Sequence, residues 1–149
     1  PNFSPIAALA VFGGASFASR RTAFLVPLGA MFLSDLVLGL HTLLPISYLC
    51  FALIVFLGFW LRQRQSVWRI GTTAVAGAVL FFIVTNFAVW AMGSLYAKTA
   101  AGLAECFIAA IPFFWNTLAS DLFYTVILFG ALHAAESRWP VLRVAAASN

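Results

Sequence analysis

Two aspartates, Asp35 and Asp121, stand within long apolar segments, where an ionisable side chain is costly and usually faces a cavity or a partner. Residues with polar, aromatic or thiol groups occupy corresponding parts of neighbouring segments: Tyr48, Cys50, Asn86, Trp90 and Asn116. Carboxylates and amides orient a ligand, and aromatic rings supply contact area. The set predicts a substrate-binding pocket for a small molecule.

Each of these residues also has a structural interpretation. Asp35 and Asp121 are able to cap helices or to pair with Lys98, and Trp90 suits a membrane interface. Cys50 is either a packing residue or a reactive or metal-binding thiol, whereas Cys106 is expected to be a packing residue. His41 is expected to be solvated in a turn, and His133 with Glu136 to form a surface pair.

The sequence carries no recognisable catalytic motif. It has no phosphate-binding glycine loop, no His-x-x-x-His pair and no Gly-x-Ser-x-Gly elbow. Two cysteines are too few for a structural zinc site. We therefore predict no catalytic residues, no metal site and no enzymatic activity.

Composition decides the class of protein. Of 149 residues, 64% are apolar and only 8% are charged, whereas soluble domains carry about 25% charged residues. This charge is too sparse to cover a water-facing surface, which excludes a soluble enzyme and a nucleic-acid binder. The sequence predicts an all-α, polytopic transmembrane helix bundle whose first partner is the lipid bilayer.

Charged and turn residues divide the chain into apolar spans within one domain, residues 1–149. Five crossings are predicted over residues 5–19, 22–40, 46–61, 70–93 and 113–135. Residues 101–111, stopped by Pro112, predict a short outer interfacial or re-entrant helix. The first span is short for a bilayer, so we expect it to begin near Phe3 or to pack inside the bundle.

Basic residues orient the bundle. Arginines fill the loops after the first, third and last spans: Arg20, Arg21, Arg62, Arg64, Arg69, Arg138 and Arg143. The positive-inside rule places these loops in the cytoplasm. The candidate site residues then gather at the outer ends of the spans, and residues 51–59 and 127–132 form an apolar floor beneath them.

Small residues recur at helical spacing in the first span, at Ala10, Gly14 and Ala18. Small residues four apart let helix backbones approach closely in lipid. They predict a helix-packing surface, either inside the bundle or toward a partner subunit.

Several stretches together resemble a family of uncharacterised bacterial integral membrane proteins that are described as transport proteins. They are Pro1-Asn2-Phe3-Ser4-Pro5, Ser34-Asp35-Leu36, Thr85-Asn86-Phe87 and Ile111-Pro112-Phe113-Phe114. That family is similar to the substrate-binding S components of energy-coupling-factor (ECF) vitamin transporters and, through them, to a solitary cobalamin transporter.

The resemblance implies a six-helix bundle in the bacterial cytoplasmic membrane, with a pocket on the extracytoplasmic side. One further helix is then expected before Pro1. In S components a small-residue helix docks onto a membrane partner subunit, a role that the Ala10, Gly14 and Ala18 stripe would take. In the cobalamin relative a cysteine thiolate binds cobalt, and Cys50 is the candidate here, with cobalamin as the ligand and no resident cofactor.

Two functions remain open. The first is an S-component-like membrane transport protein that captures a small vitamin-like molecule from outside. The alternative is a non-transporting accessory subunit of a larger respiratory or photosynthetic membrane complex, which packs through its apolar faces.

Overall fold

The computed structural model describes residues 3–39 and 42–139. These residues form five α-helices and contain no strand. The helices are α1 (Ile6–Ser16), α2 (Arg20–Leu38), α3 (Leu44–Phe59), α4 (Val67–Met92) and α5 (Ala100–Arg138). The predicted all-helical fold is confirmed over this range. His41 and Arg143 lie outside the described residues.

Hydroxyl side chains begin three of the helices. Ser19 accepts a hydrogen bond from the Arg21 amide at the start of α2, and Ser66 accepts one from the Arg69 amide at the start of α4. Thr99 does the same for Gly102 in α5. Each side chain satisfies an amide that has no partner within its own helix, which fixes where the helix starts.

Three helices are long and apolar enough to cross a membrane, namely α2, α4 and α5, whereas α1 and α3 are shorter apolar helices. Large apolar side chains such as Leu25, Val37 and Val126 are exposed on their outer faces. A helix that is apolar on its exposed faces suits hydrocarbon better than water. This is the character expected of a membrane helix bundle.

The shortest helix, α1, lies at the centre of the fold. It has 11 residues and contacts all four other helices. Six of its residues are buried, including Ala8, Ala10 and Val11. Its length is about 16 Å at the helical rise, roughly half the thickness of the hydrocarbon core. The prediction that the first span packs inside the bundle is confirmed.

α1 crosses α3 at two glycines, Gly14 and Gly58. A Cβ atom added at Gly14 would lie 2.9 Å from the Gly58 Cα and would overlap the carbonyl oxygen of Val55. The small-residue stripe is therefore used inside the chain: Ala10 and Gly14 are buried, and only Ala18, which lies beyond the end of α1, is exposed. This surface is not open to a partner subunit.

The predicted break at Pro112 is wrong. Residues 101–111 belong to α5, a single helix of 39 residues that continues through Pro112. Proline removes one hydrogen bond from the helix, but α5 packs against α4 on both sides of Pro112, and this packing supports the helix there. The ring of Phe82 lies 5.5 Å from Phe107, before the proline, and 4.9 Å from Phe114, after it.

The arginines of the described residues gather at one end of the bundle, as predicted. Arg62 donates hydrogen bonds to the carbonyl oxygens of Gly14 and Phe17, both at 2.8 Å. Arg69 donates to the Trp60 carbonyl at 2.9 Å, and its guanidinium stacks over that indole. These contacts join the ends of α1 and α3 to the start of α4. We call this the arginine end, and the other the polar end.

Candidate functional site

At the polar end, Asp35 of α2 meets Tyr48 of α3. The Tyr48 hydroxyl donates to the Asp35 carboxylate at 3.0 Å, and Asp35 is buried. α2 ends three residues after Asp35, and Gly39 then adopts a φ of +100° that favours glycine. The turn brings the start of α3 back beside α2. This is the one pair of predicted site residues that the structure joins by a side-chain hydrogen bond.

The loop between α4 and α5 is held by Trp90 and Lys98. The Trp90 indole donates to the Ala97 carbonyl at 2.8 Å, and the Lys98 ammonium donates to the carbonyl oxygens of Trp90 and Gly93. A cation at the carboxyl end of a helix is favoured by the helix dipole. Trp90 and Lys98 therefore hold this loop against the end of α4.

Asn86 and Cys106 connect α4 to α5 just below that loop. The Asn86 side chain donates to the Phe82 carbonyl at 2.7 Å, and the Cys106 thiol donates to the Asn86 carbonyl at 3.5 Å. Cys106 is buried, which agrees with its predicted packing role.

A serine pair joins the chain before α1 to the middle of α5. The Ser120 hydroxyl donates to the Ser4 carbonyl at 2.7 Å and accepts from the Ser4 amide at 2.8 Å. Beside it, Asp121 is only 3% exposed, and its Oδ2 atom has no hydrogen-bond partner among the described residues. Thr125, one turn further along α5, is also 3% exposed with an unpartnered hydroxyl. Such orphaned groups call for an explanation, because buried polar atoms are usually hydrogen-bonded.

Two cavities lie between α4 and α5. The smaller, here the phenylalanine cavity, has about 160 Å³ and is lined by Asn86, Thr85, Thr117 and phenylalanines that include Phe82 and Phe114. The larger, here the glycine cavity, has about 580 Å³ and lies between the start of α4 and the end of α5, lined by residues that include Gly71, Thr125, Phe129, Gly130, His133 and Glu136. Only the larger volume falls in the range of about 300–1,000 Å³ typical of ligand pockets.

The sequence model of a family of unknown function (DUF6580) matches residues 1–142. The chain belongs to this family. No curated protein matches the chain, and no solved structure does.

In this DUF6580 chain the predicted site residues occupy separate positions. Asn86 lines the phenylalanine cavity, and none of the predicted residues lines the glycine cavity. Asn116 is exposed on α5, whereas Asp121 is buried beside the serine pair. The predicted binding set is thus divided between the Asp35–Tyr48 pair, the α4–α5 loop and the middle of α5.

Cys50 does not fit a cobalt ligand in this DUF6580 structure. Its side chain is 0% exposed in the core and lines neither cavity. A thiolate that binds a metal needs an approach from a cavity or from solvent. The burial agrees with the packing interpretation.

The sequence did not identify the glycine cavity, which His133 and Glu136 line. The predicted apolar floor covers residues 127–132, between these two residues and Thr125. One signal was present: Thr125 follows Asp121 by four residues, so both lie on one helix face.

Proposed function

We propose that the chain is an S-component-like membrane transport protein that captures a small vitamin-like molecule at the polar end of the bundle. The observation that supports this most is Asp121, a carboxylate buried within an apolar helix with an unpartnered oxygen. An ionisable residue at such a position marks a substrate or ion site more often than a structural one. The Asp35–Tyr48 pair at the polar end adds a second buried carboxylate.

The proposal includes five crossings of the bacterial cytoplasmic membrane, one for each helix from α1 to α5. The chain alternates direction from α1 to α5, with the arginine end in the cytoplasm under the positive-inside rule. α5 is about 58 Å long at the helical rise, well beyond a hydrocarbon core of about 30 Å. Its first turns then extend the hairpin with α4 past the outer surface.

Ligand binding to the purified protein in lipid nanodiscs tests the proposal. Isothermal titration calorimetry against a panel of vitamins and cofactors is expected to give at least one binder. Asp121→Asn should weaken that binding by about tenfold or more, because hydrogen bonds to a charged group contribute about 1.5–3 kcal/mol. Glu105→Gln is the matched control, since it removes the same charge from an exposed position on the same helix. A panel without any binder, or equal affinity in both variants, would contradict the proposal.

The accessory-subunit alternative has less support. Such a subunit would dock through its apolar faces, which are exposed, and through the small-residue stripe, of which Ala10 and Gly14 are buried inside the chain. Copurification with a large complex in mild detergent, without ligand binding, would favour it over transport.

A further inference from the structure

The charge at the arginine end is almost entirely positive. Six arginines of the described residues lie there, and Glu136, near the end of α5, is the one acid beside them. The chain has only three other acids, and none of them lies at this end. Neither α2 nor α4, which both start here, has an acidic residue in its first turn. Like charges this close repel one another, so counter-charges from outside the chain would stabilise this end.

Two of the six arginines hold the helix ends, and the other four surround them. Arg62 and Arg69 donate to backbone carbonyl oxygens, which carry no net charge, so these hydrogen bonds leave both positive charges uncompensated. The other four arginines have exposed side chains: Arg20, Arg21, Arg64 and Arg138. The surface therefore presents two guanidinium groups that are fixed by hydrogen bonds and four that can turn toward a partner.

Tryptophans place these arginines at the depth of lipid head groups. Trp60, Trp68 and Trp139 lie at the end of α3, the start of α4 and the end of α5, and each is more than half exposed. Tryptophan is enriched where hydrocarbon meets the head groups, because its ring is apolar and its N–H group is polar. The Arg69 Cζ atom lies 4.2 Å from the centre of the Trp60 ring, so the two side chains share one depth. At that depth the anions of a bilayer are lipid phosphates.

We propose that the arginine end binds the head groups of anionic phospholipids. Guanidinium groups pair with phosphate oxygens through parallel hydrogen bonds. A zwitterionic head group carries its own cation beside the phosphate, and the arginines repel it, so a head group with a net negative charge is preferred. Clusters of about four to eight basic residues next to a membrane helix are typical of such surfaces. The proposal concerns the opposite end from the Asp35–Tyr48 pair and does not rest on the proposed transport function.

Native mass spectrometry of the full chain tests the lipid preference. The protein is purified in a non-ionic detergent and mixed with phosphatidylglycerol and phosphatidylcholine that carry the same acyl chains. Phosphatidylglycerol should bind about tenfold more tightly or better, because each basic residue near an anionic surface contributes about fivefold. Equal retention of the two lipids would overturn the proposal and favour an acidic protein as the source of counter-charge. Displacement of phosphatidylglycerol by millimolar inorganic phosphate would overturn it too, since free phosphate would then be the ligand.

Two variants locate the binding surface. The first replaces the other four arginines by glutamine (Arg20→Gln, Arg21→Gln, Arg64→Gln and Arg138→Gln) and should reduce the preference for phosphatidylglycerol by about tenfold or more. The second replaces the same four by lysine, which keeps the charge, and should retain most of the preference. Both variants keep Arg62 and Arg69, which hold the helix ends, and circular dichroism checks their helical content. A folded glutamine variant with an unchanged preference would contradict the proposal.

Discussion

The crossing of α1 on α3 gives the sharpest test of the fold. In Gly14→Ala the new Cβ atom would lie 2.9 Å from the Gly58 Cα and 3.0 Å from its carbonyl carbon. Carbon atoms in contact prefer about 3.5–4.0 Å, so the helices must separate by roughly 0.5–1 Å. The atoms in the way are backbone atoms and cannot rotate aside.

The expected loss follows from two opposing effects. Overpacking of this kind costs about 1–3 kcal/mol, and the better helix propensity of alanine offsets about 1 kcal/mol of it. We expect Gly14→Ala to lower the free energy of unfolding by up to about 2 kcal/mol. Gly29→Ala is the matched control, because its Cβ meets no atom within 4 Å and it should gain up to about 1 kcal/mol.

Reversible unfolding in mixed micelles measures both variants. The fraction of sodium dodecyl sulfate is raised while fluorescence of the five tryptophans is followed. Gly58→Ala should resemble Gly14→Ala, and the double variant should lose less than the sum, since one separation of the helices accommodates both methyl groups. Equal stability of Gly14→Ala and Gly29→Ala would contradict the close contact between α1 and α3 at Gly14.

Three further predictions use the same unfolding assay. Arg62→Ala should lower the free energy of unfolding by about 1–2 kcal/mol, because it removes two hydrogen bonds to carbonyl oxygens at the end of α1. Arg64→Ala is the control and should change it by less than about 0.5 kcal/mol, so equal losses would contradict the role of Arg62 in holding that end. Tyr48→Phe should lower the free energy of unfolding by about 1–2 kcal/mol, because it leaves the Asp35 carboxylate without its hydrogen-bond donor. The same substitution should have no effect in an Asp35→Ala background, and a loss that persists there would argue against the pair. Pro112→Ala should raise the free energy of unfolding by about 1 kcal/mol or more, because it restores a hydrogen bond within the continuous helix α5. If the helix instead ended at Pro112, the substitution would not raise it.

The helix ends flanked by arginines and the grouping of charge were predictable from the sequence, because arginines are excluded from hydrocarbon whatever the packing. Arg20 and Arg62 accordingly lie at or just beyond helix ends at one end of the bundle. The short length of the first span left two possibilities, an earlier start near Phe3 or a place inside the bundle, and α1 begins at Ile6 and takes the second.

Features that depend on two facing helices were not predictable. Pro112 predicted a break from its own chemistry, and the Phe82 ring that packs on both sides of it is thirty residues away in the chain. Gly71 and Gly130 look like ordinary helix glycines until α4 and α5 are set side by side. The burial of Cys50 likewise depends on the assembled core.

The central position of α1 sets the order in which the bundle can be completed. Ser4 pairs with Ser120 across 116 residues of chain, and α1 also contacts α5 directly. During synthesis, the contacts around α1 are therefore incomplete until α5, the last described helix, has been made. Contacts of such long sequence separation slow folding, so assembly should end with α5 packing against a helix that was made well before it.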